Sequence, residues 1–159
     1  MKRIDKILQN KDYNKYIKKI KKFEKDREFC KHNMKHFLDV CRIAYITSLE
    51  EELGIEKELI YAAGLLHDVG RWKQYKESIP HEVASAELAM DILMDSGFSI
   101  CEAESIKHAI LNHRKGDGSK DTLSDIIYKA DKLSRNCFCC KQEQNCNWSL
   151  EKKNLTIKI

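Results

Sequence analysis

The stretch Ala62-Ala-Gly-Leu-Leu-His-Asp-Val-Gly70 carries an apolar helical segment directly into a histidine and an aspartate. A buried imidazole or carboxylate without a partner is strongly destabilising, so His67 and Asp68 need a compensating group. A divalent cation is such a group, because the neutral imidazole nitrogen and the carboxylate oxygen are both ordinary metal ligands. The sequence therefore predicts a buried metal site where this helix ends.

A second inward-facing histidine precedes this stretch. His36 shares one side of a predicted helix with Val40, Ile43 and Ala44, which indicates that it points towards the core. His32 lies one turn earlier on the same face and is the alternative ligand. We favour His36, because a residue deeper in the helix lies nearer the core.

A distant aspartate has the same property. In Leu123-Ser-Asp-Ile-Ile-Tyr-Lys-Ala-Asp-Lys-Leu133, Asp131 falls on one stripe with Ile127 and Ala130, so its carboxylate is expected to face inward. Asp125 falls off this stripe and is expected to be a solvent-exposed acid in the first turn. A histidine, a His-Asp pair and an aspartate thus converge from separate helices.

The composition favours helices throughout. The chain has 159 residues, about the length of one domain, and contains six glycines and one proline, Pro80. Gly54, Pro80 and a capping box formed by Ser99 and Glu102 mark helix ends. We predict a single all-α domain of about six helices, at residues 11–28, 31–52, 56–70, 80–96, 99–113 and 121–135.

The charge is mildly basic and unevenly distributed. The formal net charge is +4, and lysines crowd the segment from Lys11 to Lys25. We interpret this segment as the solvated face of a helix whose apolar side includes Tyr16 and Ile20, and a nucleic-acid partner is the less favoured alternative.

Nothing in the sequence indicates a membrane segment. No apolar run approaches the ~18 residues of a transmembrane helix, and the N-terminus lacks the apolar core of a secretory signal. We therefore expect a cytoplasmic protein without membrane contacts.

The order of these residues is similar to that of a known family. His36 in His-Phe-Leu-Asp-Val-Cys-Arg-Ile-Ala, then Leu-Leu-His67-Asp68-Val-Gly, then Asp131 in Ala-Asp-Lys-Leu resembles the HD superfamily of metal-dependent phosphohydrolases. The resemblance covers about residues 30–135 and implies that these four residues bind one divalent metal. It divides the chain into a basic N-terminal helical extension packed on the core, an HD domain and a cysteine-containing C-terminal extension, at 1–28, 29–136 and 137–159.

Two further histidines match the branches of that superfamily that hold two metals. His81 heads an inward stripe with Ala84, and His113 closes one with Ile110. Cyclic-dinucleotide phosphodiesterases and bacterial diadenosine tetraphosphatases have extra histidines at similar places. The resemblance implies either a second metal on His81 and His113 with Asp68 bridging, or one metal with these histidines binding the substrate phosphate. The metal is Mn, Fe, Mg, Co or Ni, and histidine-rich ligation favours a transition metal over Mg.

The resemblance also implies an activity. We expect hydrolysis of a phosphate ester or anhydride in a small nucleotide-like substrate by a metal-activated water, which Asp68 orients if it bridges two metals. Arg71 and Lys132 directly follow the ligand motifs and are candidates to bind substrate oxygens, the alternative being solvated or ion-paired side chains. The other function we consider is a nucleotide-sensing HD module without turnover. The specific substrate and the oligomeric state stay open.

The C-terminal extension is rich in cysteine. Four of the seven cysteines lie within ten residues, and the odd total argues against a complete disulfide framework. Cys137, Cys140 and Cys146 have spacings that suit a small zinc or iron–sulfur site, and the favoured alternative is burial of the thiols against the helical core with Trp148 as a packing anchor. Beyond them, Leu155, Ile157 and Ile159 alternate in a tail that forms a strand, docks or frays.

Overall fold

Eight α-helices and two short 3-10 turns form the regular structure in the computed structural model, which describes residues 1–120 and 122–158. No strand occurs among these residues, so the all-α prediction is confirmed. The 3-10 turns are Cys137–Cys139 and Leu150–Lys152. The helices are α1 Lys2–Gln9, α2 Lys11–Phe23, α3 Met34–Glu50, α4 Lys57–Leu66, α5 Arg71–Glu77, α6 His81–Ser96, α7 Ile100–Asn112 and α8 Leu123–Leu133.

Helices α1 and α5 are additional to the six that were predicted. Helix α1 is short, and only Asn10 separates it from α2, where the Asn10 side chain accepts hydrogen bonds from the backbone N–H groups of Asp12 and Tyr13 at 2.9 and 3.1 Å. The predicted helix 56–70 instead ends at Leu66 and gives way to a turn, after which α5 begins. Asp121, the predicted start of the last helix, lies outside the described residues, as does Ile159.

Helix α4 lies at the centre of the domain. It contacts α1, α3, α6, α7 and α8, and the side chains of its second half are all buried. Its Gly64 lets α3 come close, because an added Cβ would lie 2.6 Å from the Cys41 sulfur. Because the second half of α4 is buried on every side, its sequence is a continuous apolar run and lacks the polar face of an amphipathic helix.

The N-terminal helices pack on this core through a few side chains. Ile4 and Ile7 of α1 are buried in the main hydrophobic cluster. Arg3 forms ion pairs with Glu56, Glu58 and Glu102 at 2.6, 2.5 and 2.7 Å, which joins α1 to the starts of α4 and α7. The α2 lysines are mostly exposed, as the amphipathic interpretation predicted.

The structure corrects the expectation for Asp125. Its residue exposure is only 9%, and its carboxylate pairs with Lys129 one turn later at 2.8 Å. Asp125 was expected in solvent because it falls off the main apolar stripe of α8. In the structure, α8 is covered on more than one side. In the tail, Leu155 and Ile157 are exposed and form no strand.

Among the described residues, no helix combines the length and the apolar character that crossing a bilayer requires.

We predict that Gly70→Ala lowers the free energy of unfolding by about 3 kcal/mol, because overpacking a close backbone contact forces a shift. An added Cβ at Gly70 would lie 2.3 Å from the backbone nitrogen of Ser85 in α6. Urea denaturation measures the effect.

Gly118→Ala is the matched control, since a Cβ there meets open space and only the positive φ of 80° is unfavourable, at about 1 kcal/mol. Equal stability of the two variants would contradict the close approach of α6 to Gly70.

Candidate metal centre

The His67-Asp68 pair lies in the turn that follows α4, and both side chains are fully buried. The backbone N–H of Gly70 donates to the Ser85 hydroxyl of α6 at 2.8 Å, which fixes this turn against the neighbouring helix. A histidine and a carboxylate are thereby held rigidly inside the bundle.

Four further predicted residues come to the same place from other helices. Each is nearly inaccessible, with exposures of 8% or less. They are His36 in the first turn of α3, His81 at the start of α6, His113 at the end of α7 and Asp131 near the end of α8.

One half of the site faces Asp68 Oδ2. His36 Nε2 lies 3.3 Å from His67 Nε2 and 3.6 Å from Asp131 Oδ1. His67 Nε2 lies 3.4 Å from Asp68 Oδ2. His36, His67 and Asp68 can bring one ligand atom each within 4.8 Å of the others, a spacing that suits one cation, and Asp131 closes this group.

The other half faces Asp68 Oδ1. This oxygen lies 3.3 Å from His81 Nε2 and 3.6 Å from His113 Nε2, and the two imidazole nitrogens are 3.2 Å apart. Asp68, His81 and His113 form the second compact group of candidate ligands. The two oxygens of one carboxylate therefore face two separate sets of histidines.

Hydrogen bonds at Nδ1 determine which imidazole nitrogen carries the proton. His67 Nδ1 lies 2.8 Å from Gly64 O, and His113 Nδ1 lies 2.6 Å from Ile110 O. A carbonyl oxygen only accepts, so each Nδ1 must donate. The Nε2 atoms of both residues are then lone-pair donors in the neutral ring, and they point into the site.

The other two histidines have the same tautomer. Ser134 Oγ donates to Asp131 O at 2.8 Å, so it accepts from His36 Nδ1 at 3.2 Å. His81 Nδ1 lies 2.8 Å from Gln74 Oε1 and donates to it. Such contacts behind a ligand are the usual means of fixing the orientation of a metal-binding imidazole.

This arrangement fits divalent cations. Imidazole lone pairs face each other at 3.3 and 3.2 Å, and they repel unless positive charge lies between them. Asp68 Oδ1 is buried and has no hydrogen-bond partner among the described residues. Nitrogen and oxygen ligands from both groups are the kinds that Mn, Fe, Co, Ni and Zn accept.

The electrostatic environment keeps Asp68, His36 and His81 in their metal-binding forms, whereas at His67 the Asp68 carboxylate outweighs burial and raises the pKa. Burial alone would raise the pKa of Asp68, but Arg71 and His67 outweigh it and hold that pKa well below its usual range. Burial lowers the pKa of His81 to about 3, and burial together with His67 lowers the pKa of His36. At neutral pH the carboxylate is ionised and these imidazoles are neutral.

The two predicted cationic residues border the ligand carboxylates. Arg71 Nη2 lies 3.1 Å from Asp68 Oδ2, and Lys132 Nζ lies 2.6 Å from Asp131 Oδ2. A third cation, Arg135, was not predicted from the sequence. Its Nη2 lies 3.0 Å from Asp131 Oδ1. Its position four residues after Asp131, on the same helical face, was the available signal.

His36 in α3 and His32 just before α3 were alternative ligands in the sequence, and the structure places both beside Asp68. His32 is buried, its Nδ1 lies 2.5 Å from Glu24 Oε1, and its Nε2 lies 3.5 Å from Asp68 Oδ2. Tyr75 donates to the same Glu24 oxygen at 2.6 Å. Glu24 was not predicted, although it follows Ile20 by four residues and so continues the apolar side of α2. His108 does not belong to either ligand group, and its side chain is 62% exposed.

Comparisons with known proteins agree with this geometry. A family model described as HD domain matches residues 33–136. An uncharacterized protein of Clostridium beijerinckii is 49% identical over 157 residues, which cover 99% of both chains. Ribonuclease Y of Oleidesulfovibrio alaskensis is 30% identical over 106 residues, which are 67% of this chain and 18% of that protein. Ribonuclease Y of Desulforamulus reducens is 31% identical over 97 residues, which are 61% of this chain and 17% of that protein.

This chain thus spans less than a fifth of the length of these two ribonuclease Y proteins. No solved structure gives a significant match. The family model covers more than half of the chain, and the residues that carry its histidine–aspartate pattern converge on one buried site. The protein therefore belongs to the HD domain family.

Proposed function

We propose that this protein is a metal-dependent phosphohydrolase that acts on a phosphate ester or anhydride of a nucleotide-like substrate. The observation that carries the proposal is the pair of compact ligand groups that share Asp68. A site for two adjacent cations is the arrangement that enzymes use to hold a nucleophile and a phosphoryl oxygen side by side.

The two groups divide the metal-binding work. His36, His67 and Asp131 would hold one cation, His81 and His113 would hold the other, and Asp68 would bridge them. Divalent cations bound there supply a water of lowered pKa and positive charge against the phosphoryl oxygens. Four imidazole ligands favour a transition metal over magnesium, which prefers oxygen ligands.

A basic cavity beside the ligands supports an anionic substrate. It has a volume of about 750 Å³ and is bordered by His81, His113 and Asp131. That volume lies within the roughly 300–1,000 Å³ range of small-molecule sites. Its basic side chains are Arg27, Arg71, Arg114, Lys132, Arg135, Lys152 and Lys158.

The same cavity offers aromatic surfaces. Tyr128 and Trp148 line it, at positions where a nucleobase could stack while its phosphate faces the histidines. Basic side chains together with aromatic rings are a combination that proteins use to bind nucleotide bases and phosphates. This pairing supports a nucleotide over a simple phosphorylated sugar or acid.

Arg71 is the best placed residue to bind a substrate oxygen. Its Nη2 contacts Asp68, while its buried Nε has no hydrogen-bond partner among the described residues. A guanidinium can donate from two nitrogens in one plane, which suits two oxygens of one phosphoryl group. Lys132 Nζ, which donates to His113 O at 3.2 Å, would supply a second charge at the cavity wall.

The likeness to proteins named ribonuclease Y favours a second substrate class, the phosphodiester backbone of RNA. The same metal-activated attack would apply to both. Turnover assays on nucleoside polyphosphates, cyclic dinucleotides and single-stranded RNA, each with Mn, Fe, Co, Ni and Mg, separate the two candidates. Tight nucleotide binding with no turnover across all these metals would instead favour a sensing module.

We predict that Asp68→Ala abolishes metal binding and hydrolysis together, because Asp68 faces both ligand groups. Elemental analysis and the turnover assay measure the two losses. Asp12→Ala, an exposed carboxylate on α2, is the control and should leave both unchanged. Full activity in a metal-free Asp68→Ala protein would overturn the mechanism.

The two-metal arrangement makes a separate prediction. His81→Ala and His113→Ala should each lower the metal content by one ion per chain, while the ion at His36 and His67 is retained. Metal titration by calorimetry measures the number of sites. An unchanged metal content together with a raised KM would instead assign these histidines to substrate binding.

We further predict that Arg71→Ala lowers kcat/KM by about 10- to 100-fold, the usual effect of losing a charge-assisted hydrogen bond. Steady-state kinetics on the best substrate provide the measurement. Arg42→Ala, which removes an exposed arginine that belongs neither to the ligand groups nor to the lining of the basic cavity, should stay at the wild-type value. Indistinguishable kinetics for both variants would show that Arg71 only pairs with Asp68.

A further inference from the structure

A second cluster of metal-binding side chains lies outside the histidine–aspartate site. Five cysteines line one cavity of about 270 Å³, well above the roughly 30 Å³ that one water occupies. Four of them, Cys137, Cys139, Cys140 and Cys146, belong to the C-terminal extension, and the fifth, Cys30, precedes α3.

The fold brings these cysteines together from distant parts of the chain. Asn154 Nδ2 donates to the carbonyls of Lys132 and Arg135 at 2.8 and 3.0 Å, which ties the extension to the end of α8. The backbone N–H of Phe138 donates to Asn154 O at 3.0 Å. This anchoring holds the cysteine-containing turn against the segment that carries Cys30.

Two basic side chains, Lys153 and Arg135, line the cysteine cavity and favour negative charge there. Lys153 is only 7% exposed, and its Nζ donates to Glu143 O and Oε1 at 2.6 and 2.7 Å. The hydrogen bond to Glu143 and the nearby Cys146 and Cys137 raise the pKa of Lys153. Arg135, whose side chain interacts with Cys30, lines the same cavity. The buried Lys153 and the half-buried Arg135 thus line a cavity whose sulfur atoms become negative when they bind a metal.

The spacing of the sulfur atoms separates two kinds of cysteine site. A tetrahedral zinc ion needs its sulfur ligands roughly 3.8 Å apart, because each Zn–S bond is about 2.3 Å long. Among the described residues, no three cysteines bring their sulfur atoms within 4.8 Å of one another. In a four-iron cluster each cysteine binds a different iron at the edge of a larger core, so the ligand sulfur atoms lie farther apart than around one zinc ion.

We propose that Cys30, Cys137, Cys140 and Cys146 bind an iron–sulfur cluster. All four are half-buried around the cavity, and the two-residue spacing from Cys137 to Cys140 is common among cluster ligands. Each thiol releases its proton to solvent as its sulfur binds an iron of the incoming cluster, so binding consumes no oxidant or reductant. Lys153 and Arg135, each already paired with a carboxylate, would offset part of the negative charge of the complex.

Cys139 is excluded from the ligand set. It is exposed, and its sulfur lies 3.5 Å from Asn136 O, to which its thiol donates. It sits between two proposed ligands in the chain, which makes it a matched control for the chemistry of the segment.

The proposed cluster would share a residue with the histidine–aspartate site. Arg135 contacts Asp131 Oδ1 at 3.0 Å on one side and Cys30 on the other, and His36 and Ser134 also line the cysteine cavity. Cluster binding would therefore fix Arg135 and the end of α8. The cluster proposal stands on the cysteine cavity alone and does not depend on the proposed hydrolase activity.

The test is the iron and acid-labile sulfide content of the full-length chain, purified without oxygen from iron-supplemented cells. We expect sulfide, visible charge-transfer absorption and a Mössbauer spectrum of clustered iron. The sulfide assay distinguishes this site from the histidine–aspartate site, because iron bound there by nitrogen and oxygen ligands carries no sulfide.

Serine substitution of each proposed ligand should remove the labile sulfide, while Cys139→Ser and Cys101→Ser should retain it. Helical circular dichroism and metal bound at the histidine–aspartate site confirm that the variants are folded. Three results would overturn the proposal: no labile sulfide in folded wild-type protein, stoichiometric zinc bound by these cysteines, or equal sulfide loss in Cys139→Ser. Loss of hydrolase activity alone, with sulfide retained, would affect only the proposed function.

Discussion

The buried carboxylate of Asp68 is the constraint on which the rest of the site depends. An apolar helix, α4, delivers it into the middle of the bundle, where its exposure is 0%. An unpaired negative charge there would strongly destabilise the folded protein, so neighbouring groups must compensate it. Arg71 pairs with Asp68 Oδ2, and histidine nitrogens lie near both carboxylate oxygens.

Two of those histidines use the ends of their own helices. His67 and His113 are the residues at which α4 and α7 end, and each donates from Nδ1 to the carbonyl three residues earlier. The last carbonyls of a helix have no partner within it, so they are free to accept these bonds. The unsatisfied ends of two helices thus set the tautomer of the imidazoles and aim Nε2 at Asp68.

The end of α8 links the metal centre to the cysteine cavity. Asp131 faces the histidines, Ser134 accepts from His36, and Arg135 lies between Asp131 and Cys30. These three residues occupy one face of the last turn because they are three and four positions apart. The C-terminal end of α8 therefore borders both the metal centre and the cysteine cavity.

The sequence by itself determined the all-α class and most of the site. Helical stripes indicated which face of each helix is buried, so His36 and Asp131 could be identified as candidate ligands without coordinates. Asp68 was identified as a candidate because a wholly apolar run leads directly into it. The tertiary structure alone decided that His32 and Glu24 reach the site, that Arg135 joins two cavities and that Asp125 is covered. Those features depend on which helices become neighbours, and the periodicity of one helix carries no information about the faces that pack against it.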